Sequence, residues 1–375
     1  MSFRFLTFVL AATTAFSTAP AMAGIDTNVV LTTEADSVVS GGLNRGVSGL
    51  SNLDLTAHWQ GDNGWEAFGY VLGDFGDDFS ANRVGDVQVT SNIDSVDGWR
   101  LFEAYGKKSW GDKGSVMAGL INLNAMFDVQ DVGSVFFNAS HGIGIDYSQS
   151  GPSIFPISAL GVVGEWQITP HQALRAGLFD GVPGNPYDDR AFAYIKLSAE
   201  EGAHYAGEYQ YDFDGGFVKL GAWANTARLD RLDGSGTSRG NNGAYGQVGF
   251  TLTREGSSDD QGLKGWVRAG VANDTLMTID HYAGGGVVYT GAFKGRDSDQ
   301  TGLAVAVAHF GAPYRASVDE DLISEVTWEA IYRYDLNDRV SLQPDLQYVQ
   351  HPSGRSDIDN ALVLQLRVKV GMNGL

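Results

Sequence analysis

The run NALVLQLRVKVG near the end of the chain sorts its side chains by parity. Leu362, Leu364, Leu366, Val368 and Val370 fall on one side; Val363, Gln365, Arg367 and Lys369 fall on the other. Side chains alternate across a β-strand, so this spacing predicts a strand with an apolar face and a polar face. In SEVTWEAIYRYDL, Val326, Trp328, Ala330, Tyr332 and Tyr334 oppose Glu325, Thr327, Glu329 and Arg333. In RVSLQPDLQYVQ, Val340, Leu342, Leu346 and Tyr348 oppose Ser341, Gln343, Asp345 and Gln347. Pro344 has no N–H to give a neighbouring strand, which predicts a bulge there. Earlier runs carry more glycine but keep the alternation. Glu165 and Gln167 oppose Trp166 and Ile168, Glu208 and Gln210 oppose Tyr209 and Tyr211, and Lys219 opposes Leu220. Lys264 and Arg268 oppose Leu263 and Val267. In WRLFEAYGKKSW, Arg100 and Glu103 have opposite parity; the reading adopted puts Glu103 on the polar face, with Phe102 and Ala104 on the apolar one.

Helical periodicity is nearly absent. Sixteen alternating runs can be placed, at roughly 26–33, 52–59, 65–74, 99–110, 114–124, 159–168, 171–180, 203–212, 216–227, 243–253, 262–273, 281–293, 300–311, 323–335, 338–350 and 360–371. Most have about the 9–11 residues that a tilted strand needs to cross a bilayer. The connections alternate between long and short. The gaps from Thr33 to Asn52, Gly76 to Gly98, Ala125 to Ser158 and Gly181 to Gly202 are long; those at Gly61, Asp112, Pro170 and Asp214 are tight. Long loops at one end and tight turns at the other is the layout of a transmembrane antiparallel up-and-down β-barrel, here of 16 strands. Trp59, Trp65, Trp110, Trp166, Tyr211 and Tyr334 gather beside the short turns, where a membrane-interface girdle would hold amphipathic rings.

Composition sharpens the picture. MSFRFLTFVLAATTAFSTAPAMA reads as a secretory signal peptide cut after Ala23, leaving residues 24–375 as the barrel domain. No later run of eighteen apolar residues exists, and mean hydropathy is −0.13, as expected when membrane strands alternate lipid-facing and lumen-facing residues. The chain has 50 Gly, 9 Pro and no Cys, so sheet hydrogen bonds rather than disulfides must hold an exported protein together. A formal charge of −20 argues against nucleic acid as a partner. Acidic outer loops suit divalent cations that bridge lipopolysaccharide. The seven histidines show no metal-ligand spacing, and no catalytic constellation or phosphate loop is found, so no enzyme activity, metal or cofactor is expected.

One stretch breaks the alternation. VFFNASHGIGIDYSQSGPSIFP, Val135 to Pro156, is nearly free of charge and has no steady period. Long loops without regular structure are often functional. Together with its flanks, in LINLNAMFDVQDVGSVFFNASHGIGIDYSQSGPSIFPISALG, it resembles the corresponding segment of the carbohydrate-selective porins, the OprB family. WEAIYRYDLNDRVSLQPDLQYVQHPSG resembles the same family near its C-terminus. The resemblance implies a sixteen-stranded barrel in the outer membrane of a Gram-negative bacterium, passing glucose and related sugars by passive diffusion. It also implies that the third extracellular loop folds inward and narrows the lumen, through an eyelet of arginines and carboxylates. Asn138, Ser140, Ser148 and Gln149 suit such a loop as hydrogen-bonding groups, and Phe136, Phe137, Tyr147 and Phe155 suit it as rings that pin it or face a sugar. The chain departs from outer-membrane barrels in ending on GMNGL rather than on an aromatic, which bears on how assembly machinery recognises it.

A sugar crossing a pore must exchange water hydrogen bonds for wall hydrogen bonds, and carboxylates and guanidinium forks supply them. Strand parity nominates Glu103, Arg175, Lys219, Arg268, Glu329, Arg333 and Arg367 as lumen residues. Asp128 joins them from the root of the inserted loop. The rival reading is a general or cation-preferring diffusion pore. An energised transporter is disfavoured, because the first run starts a few residues after Gly24 and leaves no room for a plug. A trimer and a monomer both fit.

Overall fold

The computed structural model describes residues 24–373, apart from 77, 186–191, 256–260, 319–320 and 323. The segment read as a signal peptide lies outside the described residues. The first nine strands are β1 (Ile25–Ser40), β2 (Gly46–Gln60), β3 (Trp65–Phe75), β4 (Gly98–Ser109), β5 (Gly114–Ile121), β6 (Ala159–Thr169), β7 (Gln172–Asp180), β8 (Ala203–Phe213) and β9 (Gly216–Asn225). A small hairpin, β10 (Leu229–Asp230) and β11 (Thr237–Ser238), sits in the following loop. Then come β12 (Asn241–Thr251), β13 (Gly262–Ala272), β14 (Ile279–Thr290), β15 (Gln300–Phe310), β16 (Glu325–Asn337), β17 (Val340–Gln350) and β18 (Ala361–Asn373).

Among the described residues, all strands but the hairpin pair with their neighbours in sequence, and β18 pairs with β1. Sixteen strands therefore close into one antiparallel barrel. Among the described residues no strand of this ring is left with only one neighbour, which is what a lipid environment demands of a sheet. Among the described residues no helix is long and apolar enough to cross a membrane.

The alternation maps onto the two faces of this wall. Leu364, Leu366, Trp328, Leu346, Leu220 and Val267 are exposed, while Val363, Gln365, Glu329, Gln347, Lys219 and Arg268 are buried. The six rings expected in a girdle, Trp59, Trp65, Trp110, Trp166, Tyr211 and Tyr334, are all exposed.

Three local expectations are corrected. The gap from Thr33 to Asn52 is not a loop: β1 and β2 run for 16 and 15 residues and meet across 41–45. Glu34 and Asp36 gave that stretch a loop-like composition, yet both are buried on the inner face. Phe102 does not face lipid. The register slips between Tyr70 and Val71, making Phe102 the extra residue of a β-bulge. Arg100, Phe102 and Glu103 are all buried, with the Phe102 ring 5.1 Å from Tyr70 and 6.4 Å from Phe155. The bulge resolves the conflicting parity of Arg100 and Glu103. Pro344 makes no bulge, since it keeps its place opposite Leu366; the register between β16 and β17 slips instead beside the turn, between Asp335 and Asn337.

Candidate functional site

The connection 122–158 between β5 and β6 touches strands on opposite sides of the closed cylinder, which it can only reach through the interior. At its start Asn122 N–H donates to Glu103 on β4 (2.9 Å). Farther on, Val129 O accepts from Lys219 Nζ on β9 (2.8 Å), Phe137 N–H meets Glu329 on β16 (2.5 Å), and Val135 O accepts from Gln343 on β17 (2.7 Å). Gln149 exchanges hydrogen bonds with the Ile279 backbone on β14, accepting from its N–H at 2.9 Å.

One anchor is centred on Arg268. Its guanidinium grips Asp128 with both Nε (3.1 Å) and Nη2 (2.8 Å), and its Nη1 meets Asp146. Arg268, Asp128 and Asp146 are all fully buried. The rings of Tyr245 and Tyr282 stand on the guanidinium at 5.1 and 5.2 Å, so the cation is held by two carboxylates and two π faces. Burial pushes the Asp128 carboxyl up to about 6 against the pull of Arg268. A network continues from Asp128 N–H to Glu208 (2.9 Å), from Tyr245 Oη to Glu208 (2.7 Å), and from Arg175 to Glu208 (3.0 Å), Glu165 (2.6 Å) and Gln210 (3.0 Å).

The other anchor is the Glu329 carboxylate, which accepts from the backbone N–H groups of Phe137 and Asn138 (3.1 Å for the latter). Phe136 packs between His141 and Trp266, with ring centroids 5.3 and 5.4 Å away. Burying such a ring contributes roughly 1.5–3 kcal/mol. Arg367 lies over the Phe137 ring at 3.9 Å, pairs with Glu34 and donates to Asn92 (2.7 Å). Phe136, Phe137 and Tyr147 are wholly buried and serve to pin the segment. Glycine is needed where segment and wall meet most closely. A Cβ on Gly270 would lie 2.1 Å from Asp146 Oδ2, and one on Gly302 would lie 2.7 Å from Phe136 Cζ.

A second connection, 76–97, shares this interior, which the sequence reading missed. Asn92 N–H donates to Phe137 O (2.7 Å), and Ala139 N–H donates to Val89 O (2.9 Å). Glu325 collects the N–H groups of Val87 (2.9 Å), Gln88 (3.0 Å) and Ser353 (2.7 Å). Six of the eight nominated residues, Glu103, Asp128, Lys219, Arg268, Glu329 and Arg367, thus hold the inserted segments. Arg175 and Arg333 sit differently. Arg175 is partly exposed, with its side chain 18% accessible, and Arg333 is more open, pairing with Asp335 (3.0 Å) and reaching Gln300 (3.4 Å). Sequence reasoning also passed over Glu34, Asp146, Glu208, Tyr245 and Glu325. Glu34 meets Arg367 only through the barrel's closure and Asp146 meets Arg268 only through the inserted segment, whereas Glu208 faces Arg175 across the neighbouring β7–β8 pair.

The inserted segment carries a pH liability. His141 is fully buried, with Phe136 and Trp266 around it and the Glu329 carboxylate 3.6 Å from its Nε2. Burial holds its imidazole down to about 3, against 6.5 for the free group. Between those values the folded protein binds fewer protons than the unfolded chain, so this residue's contribution to stability is present above about 6.5 and is lost as the pH falls toward 3. His141→Gln should flatten that part of the pH profile of thermal unfolding in detergent. An unchanged slope would assign the acid sensitivity to other groups.

Residues 51–372 match the family described as carbohydrate-selective porin, OprB family. The chain belongs to this family. Porin B of Pseudomonas aeruginosa is 26% identical over 135 residues, which span 32% of this chain and 30% of that relative. The structure of OprB from Pseudomonas putida at high pH superposes with a TM-score of 0.85 at 21% identity, covering 96% of this chain and 100% of that one. The Salmonella typhi OmpF structure in complex with daunomycin superposes with a TM-score of 0.62 at 11% identity, covering 93% and 97%. Family and fold are those of passive outer-membrane channels of Gram-negative bacteria, not of enzymes, and the exposed apolar band of this OprB-family chain is the surface that meets the membrane.

Proposed function

We propose that this porin conducts glucose and related sugars by passive diffusion past a constriction built by 122–158 and 76–97. The observation that carries the reading is the pairing of inward charges. Arg175 sits between Glu165 and Glu208, Arg367 meets Glu34, and Arg333 meets Asp335. Paired charges leave a weak net field for ions, yet offer strong donors and acceptors to a neutral, hydroxyl-rich solute. Partial occupancy of those groups by each other keeps binding weak enough for exit. Arg175 uses Nε and Nη1 on the wall, which leaves the Nη2 edge for a passing hydroxyl. One chain supplies the whole lumen, so each chain carries its own pore whether it assembles as a monomer or a trimer.

Planar-bilayer conductance with glucose, maltose and a neutral amino acid tests this. Sugars alone should block the current; indifference to all three would make it a general pore. Arg175→Ala should raise the sugar concentration for half block by about tenfold, in keeping with about 1.5 kcal/mol for a charge-assisted hydrogen bond. Arg333→Ala should have a smaller effect, because that side chain is more open to water. Wild-type block in both variants would remove the two arginines from the pathway.

A further inference from the structure

We propose that Asp280, His281 and His309 form a binding site for a first-row divalent metal ion, such as Zn2+, on the outer wall of the barrel. These residues lie far apart in the chain and show no ligand spacing in sequence. The strand register brings them together. His281 on β14 stands directly opposite His309 on β15, on the outward face beside Val271 and Val307. The ladder slips between Ile279 and His281, leaving Asp280 as the extra residue. In a regular strand Asp280 and His281 would face opposite sides; the bulge lets the carboxylate reach round to both rings. Asp280 Oδ1 lies 2.6 Å from His309 Nδ1 and 3.0 Å from His281 Nδ1, and all three residues offer donor atoms within 4.8 Å of one another.

Those separations are close to what a four-coordinate ion asks of its ligands. With metal–donor bonds of roughly 2.0–2.1 Å, tetrahedral donors sit about 3.3 Å apart. Two imidazoles and a carboxylate are the donor set that suits zinc and its neighbours rather than calcium or magnesium. The imidazoles are 63% and 44% accessible, so an ion can enter, and a fourth position opens outward to water. The cluster lies at the end of β14 next to 273–278, the loop end of the barrel, where outward-facing polar groups meet headgroups and water rather than hydrocarbon. The two imidazoles face outward, although the backbone of the adjoining Ile279 meets Gln149 of the inserted segment.

Calorimetric titration of Zn2+ into tag-free, chelator-stripped protein in detergent tests the site. One ion per chain is expected in the wild type, with affinity at least roughly tenfold weaker in the His281→Ala/His309→Ala double variant. Conductance should stay at the wild-type level, since these side chains face away from the pore. Co2+ added to the wild type should give the visible absorption of a four-coordinate nitrogen–oxygen site. That readout needs no variant and decides the matter if the double variant fails to assemble. Absence of Zn2+ binding and of a Co2+ spectrum in the wild type, or equal Zn2+ affinity in the folded double variant, would overturn the proposal.

Discussion

Arg268→Ala should raise single-channel conductance and abolish the preference for sugars over other neutral solutes. The substitution leaves Asp128 and Asp146 fully buried without their cation. Removing one partner of a buried ion pair costs about 3–5 kcal/mol, because the remaining charge is stranded in a poor solvent. Here two carboxylates are stranded, and the Tyr245 and Tyr282 rings lose the cation between them. The cheapest relief is for 128–146 to leave the wall and carry its carboxylates into water. Limited proteolysis should then cut within 122–158 while the barrel stays intact. Adding Asp128→Asn and Asp146→Asn removes the stranded charges and should restore part of the wild-type conductance. Wild-type conductance and protease resistance in Arg268→Ala would show that the segment is held by other contacts.

Glu329→Ala attacks the second anchor and should loosen the tip of the segment rather than its root. It deprives the buried N–H groups of Phe137 and Asn138 of their acceptor, at about 1–3 kcal/mol for each group left unsatisfied. The tip also carries the contact of Asn92 with Phe137, so 76–97 should loosen with it. Conductance should become noisy, with openings above the wild-type level. Glu329→Gln keeps one acceptor oxygen and should fall between the two. The root, gripped by Arg268, should stay protected from protease. Quiet wild-type traces in Glu329→Ala would place the tip's support in Phe136 and Gln343 instead.

Much of this architecture was legible from parity alone. β16, β17 and β18 announce both faces because large apolar residues alternate with charged or amide ones over their whole length. β1 did not, because its inward face carries Thr32, Glu34 and Asp36, residues that suit a loop as well as a wet lumen. Phe102 was turned the wrong way for a different reason. A bulge adds one residue, and a period-two argument has no memory of the frame beyond it. Parity set the charged candidates on the polar face of their strands, but the hold of six of them on the inserted segments could not be read from it. Strand parity shows that Arg268 and Glu329 face inward; it does not show that the inserted segment reaches them. The cluster of Asp280, His281 and His309 was invisible for the same cause, since only the pairing of β14 with β15 makes neighbours of them.

The seam between β1 and β18 joins the first and last strands of the described chain. Its pairing runs from Asn28 opposite Asn373 to Ser40 opposite Leu362, and the side chains of Glu34 and Arg367 that clasp across it are 333 positions apart. Until the final strand arrives, any half-built sheet has two raw margins ready to recruit a stray chain. The entropy of joining such distant ends falls on that last stitch. Arg367 also rests on Phe137, so the clasp that closes the wall steadies the segment lodged inside it as well.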